Sequence, residues 1–414
     1  MSTERIPTKP QPVSPKQRGR FVSSLLLIFL GLSTASPAYA ASNEMARPEF
    51  AILIVSFLVL MGVTQAGVVF SATTRLSGAK WAKSYYRLAD LITMAFAPFA
   101  IGGFLLIYFQ SSGELFYWLS PAPEEHLSAY LNSDWLLFRN LFCLLVFYGL
   151  SAVYFWKSLR PDLSGSDNID HHEVRDQLYW MSPLIIIAYI ACSTFIAWDF
   201  GMMLIPHWHS TVFPIHYWFG NAYAATAALI VLPVLLGRFS SSEFQFSPQQ
   251  IRYFSMLVSG FMLLWLYFMW AQFFVMWFGN LPRETDALFR QMYGHYAPLY
   301  WTMVAGCFFI PFGSLIFAYF NRSIRAMCML ALSINLGNWI NKYLMVIPVY
   351  SAEDRILDHL SEVALSVGLL AAFVIVVVLF ARRLPAYSYW EINLKPNTSV
   401  TRAPPTHEEV GNYT

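Results

Sequence analysis

The chain has 414 residues, of which 57% are hydrophobic, 17% aromatic and only 12% charged, against roughly 25% charged in soluble domains. That balance excludes an ordinary water-soluble domain and points to a protein whose solvent is a lipid bilayer. The formal net charge of +2 adds little, and no nucleic-acid partner is expected.

In chain order, residues 1–20 form a basic, proline-containing leader, followed by FVSSLLLIFLGLSTASPAYA over Phe21 to Ala40. An apolar run ending in a small-residue A-Y-A pattern reads as a cleavable signal peptide, with an uncleaved first helix as the alternative. Apolar segments of about 20 residues, the length that crosses a bilayer, then recur at 49–72, 88–109, 135–156, 181–203, 211–236, 255–279, 299–320, 325–347 and 361–381. The expected fold class is therefore all-α, a polytopic membrane bundle of nine or ten transmembrane helices. The expected divisions are a leader (1–40), a membrane domain (41–381) and a polar tail (382–414) with little fixed structure.

Lys and Arg are retained on the cytoplasmic side. The leader, loop 73–87 with Arg75, Lys80, Lys83 and Arg87, and loop 157–180 with Lys157, Arg160 and Arg175 are expected to be cytoplasmic, as is the tail. Segments 110–134 and 204–210 contain no Lys or Arg and are expected outside. Arg283, Arg290 and Arg355 are exceptions that a statistical bias tolerates. Small residues such as Gly62, Ala66 and Gly67 predict close helix packing. Cys143, Cys192, Cys307 and Cys328 all fall in spans without C-x-x-C spacing, and read as small buried hydrophobes.

Ionisable residues inside spans are costly, so each is a functional candidate. Asp90, Arg139, Asp199, Lys342 and Glu362 qualify. All but Asp199 lie near a predicted helix end, where snorkelling or interfacial hydration explains them. Asp199 differs. It lies in FIAWDFGMMLIPHWHSTVFP, flanked by Trp198 and Phe200, about one turn inside its span. Just beyond come His207 and His209, whose unperturbed pKa near 6.5 suits a proton relay to the outer water. The competing explanation is that His and Trp are common at membrane interfaces. His207, His209 and His216 make at most a three-ligand metal cluster with no obvious supporting carboxylates. Only His216 lies inside a span, short of the two facing histidines a membrane haem needs, and His171 and His172 read as solvated. A second polar motif, AQFFVMWFGNLPRET (271–285), closes the sixth span on the same side. It contains Gln272 at helical depth and a Gly279, Asn280 and Pro282 stop.

These two motifs, with QAGVVFSATTRLSGAKWAKSYYRLAD (65–90), NSDWLLFRNLFCLLVFYGLSAVYFW (132–156) and NKYLMVIP (341–348), resemble the NrfD/PsrC family of quinone-interacting membrane subunits. Within it they are most similar to the two large membrane subunits of alternative complex III, a quinol:electron-acceptor oxidoreductase. The WFGN-P-x-E-T form resembles the ActF type, whereas Gln65-Ala66-Gly67 and W-H-S-T-V-F-P resemble the ActC type, so the choice between them stays open. The resemblance implies two four-helix bundles with flanking helices in a bacterial cytoplasmic membrane. It implies quinol or quinone (menaquinone or ubiquinone) as ligand, and no haem or metal on this chain. Iron–sulfur clusters and haem c would sit on partners: an iron–sulfur subunit, cytochrome c subunits and a homologous NrfD-like membrane subunit, all within lipid. By the same resemblance Asp199, His207 and His209 match the D-F…P-x-W-H-x-T motif as quinol proton acceptors or relays. Asp90, Arg139, Trp208 and Gln272 are the quinone-contact or proton-path candidates. The alternatives are a structural anchor subunit without its own quinol site, and a transporter, for which matching broken helices would be expected.

Overall fold

Backbone N–H and C=O groups in hydrocarbon have no water to bond, so a chain this apolar satisfies them within helices. Among the described residues the computed structural model has ten α-helices, three short 3-10 turns and no strand. It describes residues 47–110, 116–119, 129–164, 169–206, 208–239, 247–280, 285, 288–289, 291–317, 319–350, 360–385 and 387–394. The helices are α1 Arg47–Leu76, α2 Tyr86–Gln110, α3 Ser133–Ser164, α4 His171–Phe200, α5 Phe213–Phe239, α6 Pro248–Gly279, α7 Ala297–Ile316, α8 Ile324–Tyr350, α9 Leu360–Arg383 and the short α10 Tyr389–Asn393.

Local chemistry sets the helix ends. Asp170 caps α4 by accepting from the His172 backbone N–H at 2.8 Å. Ser247 and Gln250 form a capping box at the start of α6. Asn280, with φ of 46°, stops α6 in the left-handed conformation that Asn tolerates.

Eight helices among the described residues are long and apolar enough to cross a membrane, and they coincide with eight of the nine expected spans. The remaining span, 325–347, is the helix α8, but it falls outside that apolar set because Asn335, Asn338, Asn341 and Lys342 interrupt it. It packs in the interior against α1, α5 and α7 instead. The candidate segment 21–40 lies outside the described residues.

The helices group into two four-helix bundles. α1–α4 pack around one another, α5–α8 form a second group, and α1 joins them by also packing on α5 and α8. α9 flanks α1 and α2. α10 docks under α3 and α4, so the tail expected to lack fixed structure is tied down over residues 387–394. His171, read from sequence as solvated, stacks on Trp390 with ring centroids 5.7 Å apart.

Two glycine contacts set the helix spacing. A Cβ on Gly67 would lie 2.8 Å from the Ala89 carbonyl oxygen and 2.9 Å from the Ile92 side chain. One on Gly337 would lie 2.6 Å from Cys307 Sγ. The second contact falls where α7 widens into a single π-turn at Ala305–Phe309, which displaces carbonyls from their ladder. Tyr223 OH donates to the Cys307 carbonyl at 3.0 Å and Ser333 Oγ to that of Gly306 at 3.3 Å, so the displaced groups find partners on α5 and α8.

Gly67→Val and Gly337→Val are each expected to cost roughly 1–3 kcal/mol by overpacking, read as a lowered unfolding midpoint in detergent. Gly102→Ala, where a Cβ meets nothing within 4 Å, should hold or raise that midpoint. Equal behaviour of all three would show that these contacts do not set the spacing.

Candidate functional site

Asp199 lies in the last turn of α4 and is fully buried. A carboxylate taken out of water this completely needs donors on both oxygens. Arg139, in the second turn of α3, supplies them as a fork: its Nε donates to Oδ2 at 2.9 Å and its Nη2 to Oδ1 at 2.5 Å. Asn140 Nδ2 also donates to Oδ2, and Tyr130 OH to Oδ1 at 3.3 Å. The remaining Arg139 nitrogen donates to the Tyr130 carbonyl at 2.7 Å, and the guanidinium lies 3.8 Å from the Tyr130 ring centroid. Arg139 is 3% exposed, so the snorkelling expected from its place near a helix end does not occur. The buried Asp199 reaches inward and takes the arginine with it.

Glycine follows at once. A Cβ on Gly201 would meet the Phe213 ring at 2.6 Å, so the chain can turn there from α4 toward α5 only without a side chain. The turn leads through residues 202–212, where His209 stands exposed and Trp208 is buried. His207 lies outside the described residues. The donors to Asp199 are Arg139, Asn140 and Tyr130.

Trp208 instead lines a cleft of about 740 Å³, counting its open mouth, in the second bundle. Phe213, His216 and Tyr217 come from the start of α5, Gln272 from the end of α6, Tyr300 and Met303 from α7, and Asn341, Lys342 and Met345 from α8. Trp208 meets Phe213 edge-on at 5.1 Å, and His216 lies 5.6 Å from Trp265. Lys342 is 2% exposed, against the expectation of interfacial hydration, and its Nζ is 3.2 Å from the Tyr217 ring centroid. The lining is that of small-molecule sites, which are mostly apolar with a few convergent polar groups. In the sequence Lys342 is a candidate that interfacial hydration explains, His216 is weighed only as a metal or haem ligand, and Asn341 is not singled out; none of the three is assigned to a quinone site. The signal available was N-K in an otherwise apolar helix.

Asp90 sits elsewhere, at the other end of the first bundle. It is 1% exposed, accepts from Ser71 Oγ and lies 3.6 Å from Arg75 Nη1. Arg75 also bonds both oxygens of Glu391 on α10, at 3.2 and 2.8 Å. Arg87 bonds Asp162 and the Ser158 carbonyl. Trp390 closes the group, its Nε1 donating to the Ser158 carbonyl at 2.9 Å and its backbone N–H to Asp162 at 3.2 Å. This is a tail clasp. Asp90 therefore shares no site with Asp199, and interfacial hydration does not explain it. The side chain of Glu362 lies outside the described residues.

Between the two ends run buried polar groups that bond one another. Gln65 Nε2 donates to Cys192 Sγ at 3.5 Å, Ser193 Oγ to Gln65 Oε1 at 3.4 Å, and Thr93 Oγ1 to the Thr64 carbonyl at 2.5 Å. All four cysteines are free, with Cys192 and Cys307 buried as expected. Among the described residues no three His, Cys, Asp or Glu side chains cluster as metal ligands. A comparison with protein-family models and one with curated proteins both return no match for this chain.

Removing one member of a buried pair leaves the other charge uncompensated, at a cost of about 3–5 kcal/mol. Asp199→Asn and Arg139→Gln should each lower the unfolding midpoint in detergent strongly, and the double variant should fall less than the sum of the two. Additive losses would show that the pair does not act as a unit.

Proposed function

We propose that this chain is a membrane subunit of a respiratory quinol-oxidising electron-transfer complex, with the quinol head held in the cleft of the second bundle. One observation carries the reading. The segment 199–217 delivers a buried, paired carboxylate to the first bundle, and Trp208, His216 and Tyr217 to a cleft in the second. The motif that resembles the NrfD/PsrC family is thus the one that builds the cleft wall. By charge bias the cleft end is the outer one, so protons released on quinol oxidation would leave past the exposed His209. The electrons would pass to an iron–sulfur subunit and on to haem c–bearing subunits, with a homologous membrane subunit alongside. In this reading the chain orients quinol and gives its protons a way out, in a bacterial cytoplasmic membrane.

The anchor alternative has its own support. Asp199 already accepts from Arg139, Asn140 and Tyr130, and a carboxylate so engaged stabilises the helix pair rather than collecting substrate protons. The reading offered here accordingly moves the ligand-facing role from Asp199 to the cleft.

Quinol oxidation by membranes carrying the assembled complex separates the two. Gln272→Leu and His209→Ala are expected to lower turnover at least tenfold at an unchanged level of assembled complex, whereas Asp199→Asn lowers the level itself. Unchanged turnover in both of the first two variants would leave only the anchor role.

A further inference from the structure

The cleft contains a buried lysine, Lys342, with no charged partner. The other buried cations of the bundle each face a carboxylate: Arg75 faces Glu391 and Asp90, Arg87 faces Asp162, and Arg139 faces Asp199. Lys342, as deeply buried, has no ion pair and no hydrogen bond among the described residues. Its neighbour is the π face of Tyr217, whose quadrupole offsets part of the cost of desolvating an ammonium.

Three further groups share that condition in the same cleft. Nε2 of His216, Nε1 of Trp208 and the hydroxyl of Tyr217 are buried without a hydrogen-bond partner among the described residues. An indole N–H only donates, and an ammonium only donates. The side chains of Gln272 and Asn341 complete the polar lining, and Met269, Met303 and Met345 the apolar one. The site therefore offers hydrogen-bond donors around a lysine that lacks a counter-charge, with soft, polarizable walls. What complements it is an acceptor oxygen, neutral or anionic, on a flat apolar body.

We infer that Lys342 is a binding residue for the head-group oxygen of the ligand in this cleft, with a preference for the ionised over the neutral oxygen, and that Trp208 Nε1 donates to the same head. The inference rests on the assignment of the cleft to quinol and adds the residue that fixes the charge state and orientation in which the head is held. A carbonyl oxygen of the quinone and a deprotonated hydroxyl of the quinol both satisfy the ammonium, the second more strongly because a charge-assisted bond in a dry site is the stronger kind. Fatty-acid carboxylates share that acceptor chemistry and are the second source of such an oxygen.

The test is equilibrium binding to the complex in detergent, read by tryptophan quenching, with three probes: a decyl-substituted benzoquinone, a hydroxynaphthoquinone ionised at neutral pH, and oleate. Lys342→Met retains the bulk and removes an unpaired buried amine, so its unfolding midpoint should equal or exceed that of the wild type. It is expected to weaken the ionised hydroxynaphthoquinone at least tenfold and to abolish its advantage over the neutral benzoquinone. Lys342→Arg should retain that advantage. Quinone affinities unchanged in Lys342→Met would overturn the role of Lys342 while leaving the quinol assignment standing. Binding of oleate but of neither quinone, lost in Lys342→Met, would support the acceptor-oxygen site and overturn the quinol assignment. Failure of all three probes to bind the wild type would overturn both.

Discussion

A charge inside hydrocarbon must bring its partner with it, and the fork of Arg139 on Asp199 is where this chain meets that requirement most fully. Each oxygen of Asp199 has two donors, and the guanidinium spends its remaining reach on the Tyr130 carbonyl and ring. The pair locks the start of α3 to the end of α4. That contact sets where Gly201 lets the chain turn, and the turn in turn places Trp208 in the wall of the second bundle. The cleft therefore depends on an ion pair that takes no part in lining it.

The two ends of the molecule solve the same electrostatic problem differently. At the Arg75 end, two guanidinium groups and three carboxylates interlock, and the C-terminal α10 supplies both Glu391 and the Trp390 donor. Arg87 Nε and Nη1 and Asp90 Oδ2 lack a hydrogen bond there, but every charge in the group faces an opposite one. At the cleft end, Lys342 faces no carboxylate, and the Trp208 indole N–H, a His216 ring nitrogen and the Tyr217 hydroxyl are buried without a hydrogen bond among the described residues. Buried polar groups are almost always hydrogen-bonded in native proteins, so such groups gathered around a lysine without a counter-charge mark a place built to meet something else. The contrast between charges paired with opposite charges and a buried lysine that faces none is a stronger guide to function here than the mere presence of charge in a span, which both ends share.

The helical plan was legible because it rests on short-range physics. Apolar runs of bilayer length, capping residues such as Asp170 and Ser247, and the Asn280 stop each act within a few residues of where they stand. Asp199, Arg139 and Asp90 could be singled out for the same reason, since a charged residue in an apolar run is conspicuous by itself. Their partners were not legible. Asp199 and Arg139 are 60 residues apart, and Arg75 and Glu391 are 316 apart. Nothing in either local sequence records that the chain returns to join them. The same blindness made snorkelling look adequate for Arg139 and Lys342, whose places near helix ends are visible in sequence while the helices covering them are not.

What the sequence by itself determined is the all-α membrane architecture, the positions of nearly all the helices and the short roster of polar residues, because hydrophobicity and backbone hydrogen bonding are local properties of a chain in lipid. Only the tertiary structure decided that Asp199 is engaged, that Asp90 belongs to a clasp at the opposite end, and that Lys342, His216 and Trp208 share a cleft. Those outcomes depend on which helix faces meet across the two bundles. That is set by the packing of side chains distant in sequence, such as Gly67 on Ala89 and Gly337 on Cys307, and no local pattern encodes it.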